Sequence, residues 1–275
     1  MINAQTKICL IIGDPVKHSL SPAMHNAAYE ALGIHDQFVY LGAEVKLENL
    51  AKAISAVRTL GIHGLTCTMP HKLVVLPYLD EIDPIAKTIG AVNTIINQNG
   101  KLIGYNTDWL GVRNPLVLKS ESRKLRSVAI LGAGGAARAA IYAVQQMGAI
   151  VTIFNRTLSK AEDLAKKFNC NVLPLSEISK ITKFEVIINS SAVGMSKHQG
   201  QSLVPAECLD PKQLVFEMIY HPQKTKLILD AEKAGAQVIY GYEMLLEQAL
   251  EQFKIYTGKS APREVMQNTL LNQLK

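Results

Sequence analysis

The sequence contains no apolar run approaching the roughly 18 residues that a membrane-crossing helix needs, so no spanning segment is expected. Cysteine is scarce. Cys9, Cys67, Cys170 and Cys208 are spaced like neither a zinc motif nor a disulfide framework, and they read as buried thiols of a reducing compartment. The histidines His18, His25, His35, His63, His71, His198 and His221 form no H-E-x-x-H or related ligand spacing, so no metal is expected. Met1–Lys7 lacks the basic region and long apolar stretch of a secretory signal, which gives a cytoplasmic expectation. Internal repeats and low-complexity tracts are also missing. The 29 basic residues exceed the 23 acidic ones, for a net charge of +6. That excess suits an anionic ligand but is too dispersed for nucleic acid. Its one cluster, Lys119–Arg126, is short, lacks interleaved aromatics and reads as a solvated linker. The expected partner is a small molecule, with no nucleic acid or membrane, for a monomer or homodimer.

What is present is ordinary globular composition over 275 residues, 48% apolar and 19% charged, enough for two domains with cores of their own. Short apolar runs alternate with amphipathic stretches. In the first hundred residues, strands are expected at 7–12, 37–43 and 61–68, with helices at 21–32 and 47–60. Ser21 is expected to cap the first helix ahead of Pro22. Gln98-Asn99-Gly100 reads as a hairpin turn between 91–97 and 101–105, giving at least one antiparallel edge. The polar run Ser120–Ser127 is a plausible boundary. After it, strands at 127–131, 149–154, 184–189, 214–218 and 237–240 alternate with helices at 135–147, 159–168 and 225–234, the signature of a mostly parallel sheet. The tail from Tyr242 is helical, with a break near Ser260-Ala261-Pro262. The fold class is α/β in two domains.

The turn Gly132-Ala133-Gly134-Gly135-Ala136-Ala137 carries the first functional signal. A G-x-G-x-x-A match means little alone. Here the apolar strand Val128–Leu131 precedes it and an alanine-rich helix follows, the context a dinucleotide site requires. Gly132 permits the tight turn, Gly134 lets a pyrophosphate approach the backbone, and Ala137 keeps the helix close to the sheet. The helix start then offers free N–H groups to phosphates. An NAD site usually ends its second strand with Asp or Glu for the ribose hydroxyls. This one ends in Asn155-Arg156-Thr157, with Lys160 about one turn into the next helix. The missing acid, more than the arginine, selects NADP, with Arg156 available to a 2′-phosphate.

Three segments of the first half are more polar than packing requires: Ser19-Leu20-Ser21-Pro22; Thr66-Cys67-Thr68-Met69-Pro70-His71-Lys72; and the pair Gly90-Ala91-Val92-Asn93-Thr94 with Gly104-Tyr105-Asn106-Thr107-Asp108. Paired hydroxyls beside a helix start suit a substrate carboxylate. Taken with Asn189-Ser190-Ser191-Ala192-Val193-Gly194-Met195, Tyr220-His221-Pro222-Gln223-Lys224-Thr225 and Gly241-Tyr242-Glu243-Met244-Leu245 with Gln248-Ala249, the ordered set resembles the shikimate dehydrogenase family over nearly the whole chain.

That resemblance implies reversible, NADPH-dependent reduction of 3-dehydroshikimate to shikimate in aromatic amino-acid biosynthesis. It implies that residues 108–241 form a Rossmann-type NADP-binding domain, and that 1–107 with 242–275 form the substrate domain, completed by the C-terminal helices. Ser19 and Ser21 would bind the substrate carboxylate. Thr68, Asn93, Asp108 and Gln248 would contact ring hydroxyls, and Lys72 with Asp108 would be the catalytic pair. Tyr220 and Gly241 would lie near substrate and nicotinamide. Gly132, Ala133, Gly134, Gly135, Ala136, Asn155, Arg156, Thr157, Lys160, Asn189, Ser190, Ser191, Met195, Met218 and Gly241 would hold the cofactor. Burial and a neighbouring carboxylate act oppositely on a lysine's proton affinity, so Lys72 is either a proton donor or an electrostatic anchor for the reacting oxygen.

Four positions depart from the common family pattern: Thr66 replaces asparagine, Cys67 valine, Trp109 glycine and Glu217 aspartate. Cys67 and Trp109 read as packing changes, whereas Thr66 alters either the substrate pocket or only its loop. The rival readings are a quinate or dual quinate/shikimate dehydrogenase and, from another class, a non-catalytic sensor, against which Lys72 and Asp108 argue.

Overall fold

The computed structural model describes residues 1–120 and 125–274. It divides into two compact units, Met1–Thr107 with Gln248–Gln273, and Asp108–Glu247.

The first unit holds strands β1 (Lys7–Gly13), β2 (Phe38–Glu44), β3 (Gly64–Cys67), β4 (Glu81–Ile82), β5 (Thr94–Gln98) and β6 (Lys101–Tyr105) in the sheet order β2-β1-β3-β5-β6-β4. Helices α1 (Ser21–Ala31), α2 (Leu50–Thr59), α3 (His71–Val74) and α4 (Pro84–Ile89) lie between them. The hairpin forms as its Asn-Gly turn predicts, but the antiparallel strand is not an edge. β5 pairs antiparallel with both β3 and β6, while β4, parallel to β6, takes the edge. Apolar side chains of β1, β3, β5 and β6 that face α2 form one core with Leu50, Ile54 and Val57.

The second unit begins with α5 (Asp108–Lys119) and continues with β7 (Ser127–Leu131), α6 (Gly135–Gln146), β8 (Ile150–Asn155), α7 (Leu158–Phe168), β9 (Asn171–Pro174), β10 (Val186–Asn189), β11 (Leu214–Glu217), α8 (Lys226–Lys233) and β12 (Gln237–Ile239). Its sheet is parallel throughout, in the order β12-β11-β10-β7-β8-β9. This is the doubly wound dinucleotide-binding order. The chain ends with α9 (Gly241–Thr257), within which the division between units falls, and α10 (Arg263–Gln273), which packs on α1.

Several expectations need correction. Ser21 is the first residue of α1 rather than its cap; Leu20 holds the cap position and no side chain bonds there. The division between the units falls between Thr107 and Asp108, ahead of the polar run at 120–127. Positions 121–124, half of the supposed solvated linker, fall outside the described residues, and Leu125 is buried in the second unit's core. Of the four thiols, Cys170 is only half-buried. The elements β4, α3, α4, α5 and β9 carry too little periodicity to read from sequence. Pro115 and Gly111 interrupt the pattern of α5.

His25 is fully buried in the first unit. Its ring stacks on Tyr40 at 4.3 Å and 8°, and both nitrogens are buried. Burial pushes its pKa down to about 3. The unfolded chain's histidine takes its proton near the ordinary value of 6.5, so the folded state binds fewer protons between these values. Stability is therefore intact above pH 6.5 and falls as the pH drops from there toward 3, by at most about 1.4 kcal/mol per pH unit from this group. Urea titrations at pH 7, 6, 5 and 4 should show a shallower acid decline for His25→Phe than for the wild type. Parallel declines would remove His25 from the cause.

Candidate active site and cofactor site

Strand direction assembles the polar residues of the first unit. β1, β3 and β6 run one way and β5 against them, so three carboxyl ends and the amino end of β5 emerge at one sheet edge. Ser19 and Ser21 follow β1, Thr68 and Lys72 follow β3, Asn93 precedes β5, and Thr107 follows β6. Backbone bonds join these segments: Thr68 N–H to Ile12 O at 2.9 Å, Cys67 N–H to Asn93 O at 2.8 Å, and Val92 N–H to Lys72 O at 2.8 Å. The Asn93 amide spans the edge, donating to Thr107 Oγ1 at 2.9 Å and accepting from Thr107 N–H at 2.8 Å and Thr94 Oγ1 at 2.8 Å. Gln252 donates to Thr94 Oγ1 at 3.0 Å, which brings α9 to the same end. Gln248 lies one turn earlier on that helix and is buried.

Lys72 sits half-buried on the one-turn helix α3 rather than in an open loop. Asp108, 3% exposed, is the first residue of α5 and the neighbour of Thr107. A carboxylate in a helix's first turn offsets the partial positive charge there. Ser19 Oγ accepts from Ser21 N–H at 3.3 Å. His71, beside Lys72, anchors its turn through a ring nitrogen 2.7 Å from Val45 O.

Thr66 is buried and shares its hydroxyl with two tyrosines, Tyr40 Oη at 2.6 Å and Tyr256 Oη at 2.8 Å. The threonine therefore belongs to the unit's buried polar network. Tyr40 and Tyr256 go unmarked in sequence, where an aromatic among apolar residues reads as core. Cys67 is buried in the core and Trp109 packs edge-on against Tyr142, in keeping with packing roles.

In the second unit, β7 lies between β8 and β10, where the winding of the sheet reverses. This is where open α/β sheets bind ligands. Gly132 turns the chain with φ +108°, and its N–H donates to Phe154 O at 2.9 Å. A Cβ there would meet Ser190 Oγ at 3.1 Å and Ser191 N at 3.3 Å. Gly134 caps α6 without a side-chain bond, and a Cβ on it would meet nothing within 4 Å. That open space beside the free N–H groups of the helix start has the form of a cradle that suits a pyrophosphate. Ala133, Gly135 and Ala136 complete the turn with no bulk to obstruct it. At the end of β8, Arg156, Thr157 and Lys160 are exposed, and Asn155 Nδ2 donates to Thr157 O at 2.7 Å, shaping the loop. No carboxylate stands at this strand end. The residues therefore fit a dinucleotide carrying a 2′-phosphate. Asn189 ends β10, Ser190 Oγ donates to Leu131 O at 2.8 Å, and Ser191 and Met195 follow in the same loop. Met218 and Tyr220 leave β11 half-buried, with burial pushing the Tyr220 phenol up.

Comparison with known proteins agrees with this arrangement. Residues 11–95 match the shikimate dehydrogenase substrate binding domain, 117–202 the shikimate / quinate 5-dehydrogenase family, and 241–271 the shikimate 5'-dehydrogenase C-terminal domain. The NADP(+) shikimate dehydrogenase of Pyrococcus abyssi is 45% identical over 269 residues, covering 98% of each chain. The chain belongs to the shikimate dehydrogenase family. A crystal structure of a shikimate dehydrogenase in complex with NADP+ superposes with a TM-score of 0.93 at 40% identity, covering 100% of this chain and 98% of the other. The Thermus thermophilus enzyme in complex with NADP(H) and shikimate superposes with a TM-score of 0.90 at 32% identity, covering 98% and 100%. The resemblance read from the ordered motifs and the two-domain α/β fold are borne out. Among the described residues, no helix is long and apolar enough to cross a membrane.

Gly132 and Gly134 of this turn should respond differently to alanine. Gly132→Ala places a side chain at φ +108° and against Ser190, so it should lower Tm. Gly134→Ala, at φ −92° with open space around it, should leave Tm nearly unchanged and weaken NADPH binding by about tenfold, or ~1.4 kcal/mol. Thermal melts and fluorescence titration with NADPH separate the two. Unweakened binding by Gly134→Ala would refute the cradle.

Proposed function

We propose that the protein catalyses the reversible, NADPH-dependent reduction of 3-dehydroshikimate to shikimate, a step of aromatic amino-acid biosynthesis. What supports this reading is the gathering of Ser19, Ser21, Thr68, Lys72 and Asn93 at one sheet edge in a chain whose other unit carries a glycine turn without a ribose-binding acid. The serine pair and the start of α1 suit the substrate carboxylate. Thr68, Asn93, Asp108, Tyr220 and Gln248 suit its hydroxyls and ring.

Reducing a ketone to an alcohol needs a hydride on carbon and a proton on oxygen. NADPH, when bound, supplies the hydride. The protein's own residues place the carbonyl and manage the proton. Lys72 Nζ hydrogen-bonds the reacting oxygen and delivers a proton to it, and Asp108 orients that ammonium and contacts the adjacent hydroxyl. In the reverse direction the same amine receives the proton. Holding a cation at the oxygen where negative charge develops lowers the barrier in both directions. On this reading the enzyme works in the cytoplasm on a small-molecule substrate, as a monomer or homodimer, with no nucleic-acid or membrane partner.

The deciding assay follows reduced nicotinamide with shikimate and NADP, then with quinate. Turnover with shikimate is expected, and no turnover with either acid would favour a sensor. Lys72→Ala should lower kcat by about 10²–10⁴ while NADPH binding persists; near-normal kcat would exclude Lys72 from the proton step.

Arg156 adds to the cofactor preference that the missing acid sets. A charge-assisted contact to the 2′-phosphate is worth about 1.5–3 kcal/mol. Arg156→Ala should therefore cut kcat/KM for NADP by about 10–100-fold and leave that for NAD little changed. Equal use of both cofactors by the wild type would overturn the assignment.

A further inference from the structure

Glu217 ends β11 and is fully buried. Its carboxylate accepts from Asn189 Nδ2 at 3.0 Å on both oxygens, from Ile219 N–H at 3.0 Å, and from Thr225 Oγ1 at 2.9 Å. These donors lie on three different segments: the end of β10, the turn after β11, and the cap of α8. We propose that Glu217 is a positioning residue for the nicotinamide half of the cofactor site, fixing the Asn189–Met195 loop and the Ile219–Tyr220 turn against each other through its carboxylate. The proposal rests on the NADP reading above and deepens it.

The chain of contacts is continuous. Asn189, held by Glu217, uses its own Oδ1 to accept from Ser191 N–H at 3.1 Å and Ser191 Oγ at 2.7 Å. Ser191 Oγ accepts from Val193 N–H at 3.2 Å, and Asn189 Nδ2 also reaches Val193 O at 3.1 Å. Rotating the Asn189 amide would break its bonds to Ser191 and Val193 at once. On the other side, the Ile219 N–H bond sets the turn that presents Met218 and Tyr220. Two close approaches show how tightly the segments fit. A Cβ on Gly194 would meet Thr225 Cγ2 at 3.2 Å and Ile219 Cδ1 at 3.3 Å, and one on Gly241 would meet Ile219 O at 2.3 Å. Residues assigned to the nicotinamide end thus take their positions from a side chain that itself has no surface to offer a ligand.

The chemistry of the group accounts for the acid. Burying a carboxylate is costly, and replacing it by an apolar residue would avoid the cost. Only an ionised carboxylate accepts on every lone pair, which is what donors converging from three segments require. Burial still pushes Glu217 up to about 7, against the hydrogen bonds from Asn189, Ile219 and Thr225.

The test compares two ligands. NADPH spans the whole site, whereas 2′,5′-ADP carries the adenine-end phosphates and no nicotinamide. Glu217→Gln keeps the side-chain volume but turns an N–H₂ toward the donors. It should raise the Kd for NADPH about tenfold, raise KM for NADP but not for shikimate, and leave the Kd for 2′,5′-ADP within about twofold. Glu217→Asp, which keeps the carboxylate one methylene shorter, should recover most of the loss. Equal weakening of both ligands, or weakening of neither, would overturn the proposal. Should Glu217→Gln fail to fold, Thr225→Val removes one donor and Thr225→Ser keeps it. Valine alone should weaken NADPH selectively, and wild-type affinity in the valine variant would overturn the proposal. A wild-type protein that bound neither ligand would overturn the NADP reading itself, and this inference with it.

Discussion

A side chain that serves a ligand must leave its sheet at the edge where the ligand binds, and strand direction decides which edge that is. In a fully parallel sheet every carboxyl end emerges on one side. The second unit uses this arrangement directly, with the glycine turn after β7, the Asn155-Arg156-Thr157 loop after β8 and the Asn189 loop after β10. The first unit has one more polar residue at its edge than its parallel strands deliver. Reversing β5 inside the sheet supplies it, because the residue before that strand, Asn93, then emerges with the residues that follow β3 and β6. A reversed strand at the sheet margin would place Asn93 beside one neighbour. Set between two, it bonds Cys67 on one side and Thr107 on the other.

Both units then bury polar groups, a cost that hydrogen bonding offsets where partners are in reach. The responses differ. Thr66 places one hydroxyl between two phenols, with no charge involved. His25 remains a neutral ring stacked among aromatics, with burial lowering its proton affinity. Glu217 keeps a carboxylate and surrounds it with neutral donors, while burial acts in the opposite direction on its proton affinity. The two groups give opposing pH dependence where their ranges overlap. Glu217 favours the folded state below its ordinary value of 4.5, and that contribution is lost as the pH rises through about 7. His25 favours it above 6.5.

Features that are local in sequence were the legible ones. The glycine turn, the missing acid after β8 and the Asn-Gly hairpin each need only a few consecutive residues and a flanking strand. The alternation of strands and helices in the second half was readable for the same reason, since each parallel strand is a short apolar run. What sequence left dark depends on partners far along the chain. An acid that closes an apolar strand looks like a solvent-facing end, and the donors that explain Glu217 lie 28 residues before it and 8 after it. The internal place of β5 is hidden because a hairpin fixes only its own pairing. Ser21 misled for a subtler reason: serine before proline has the chemistry of a cap, but the chain enters the helix at Leu20.

The two ends of the cofactor site are separable in chemistry but not in packing. On the proposed reading, charge selection belongs to β8 and the loop after it, and the nicotinamide-end residues belong to β10 and β11. Between them stands Gly132. Its absent side chain lets the Ser190-Ser191 peptide approach within 3.3 Å of where a Cβ would lie, and Ser190 ties the loop to Leu131, the residue just before it. A substitution there would act on both ends at once, through the loop that Glu217 holds from the other side. The glycine is therefore required twice over, for a backbone angle that side chains rarely adopt and for contact with a loop whose shape is set at β11. A motif read from sequence as a phosphate cradle is also the joint between the two halves of its site.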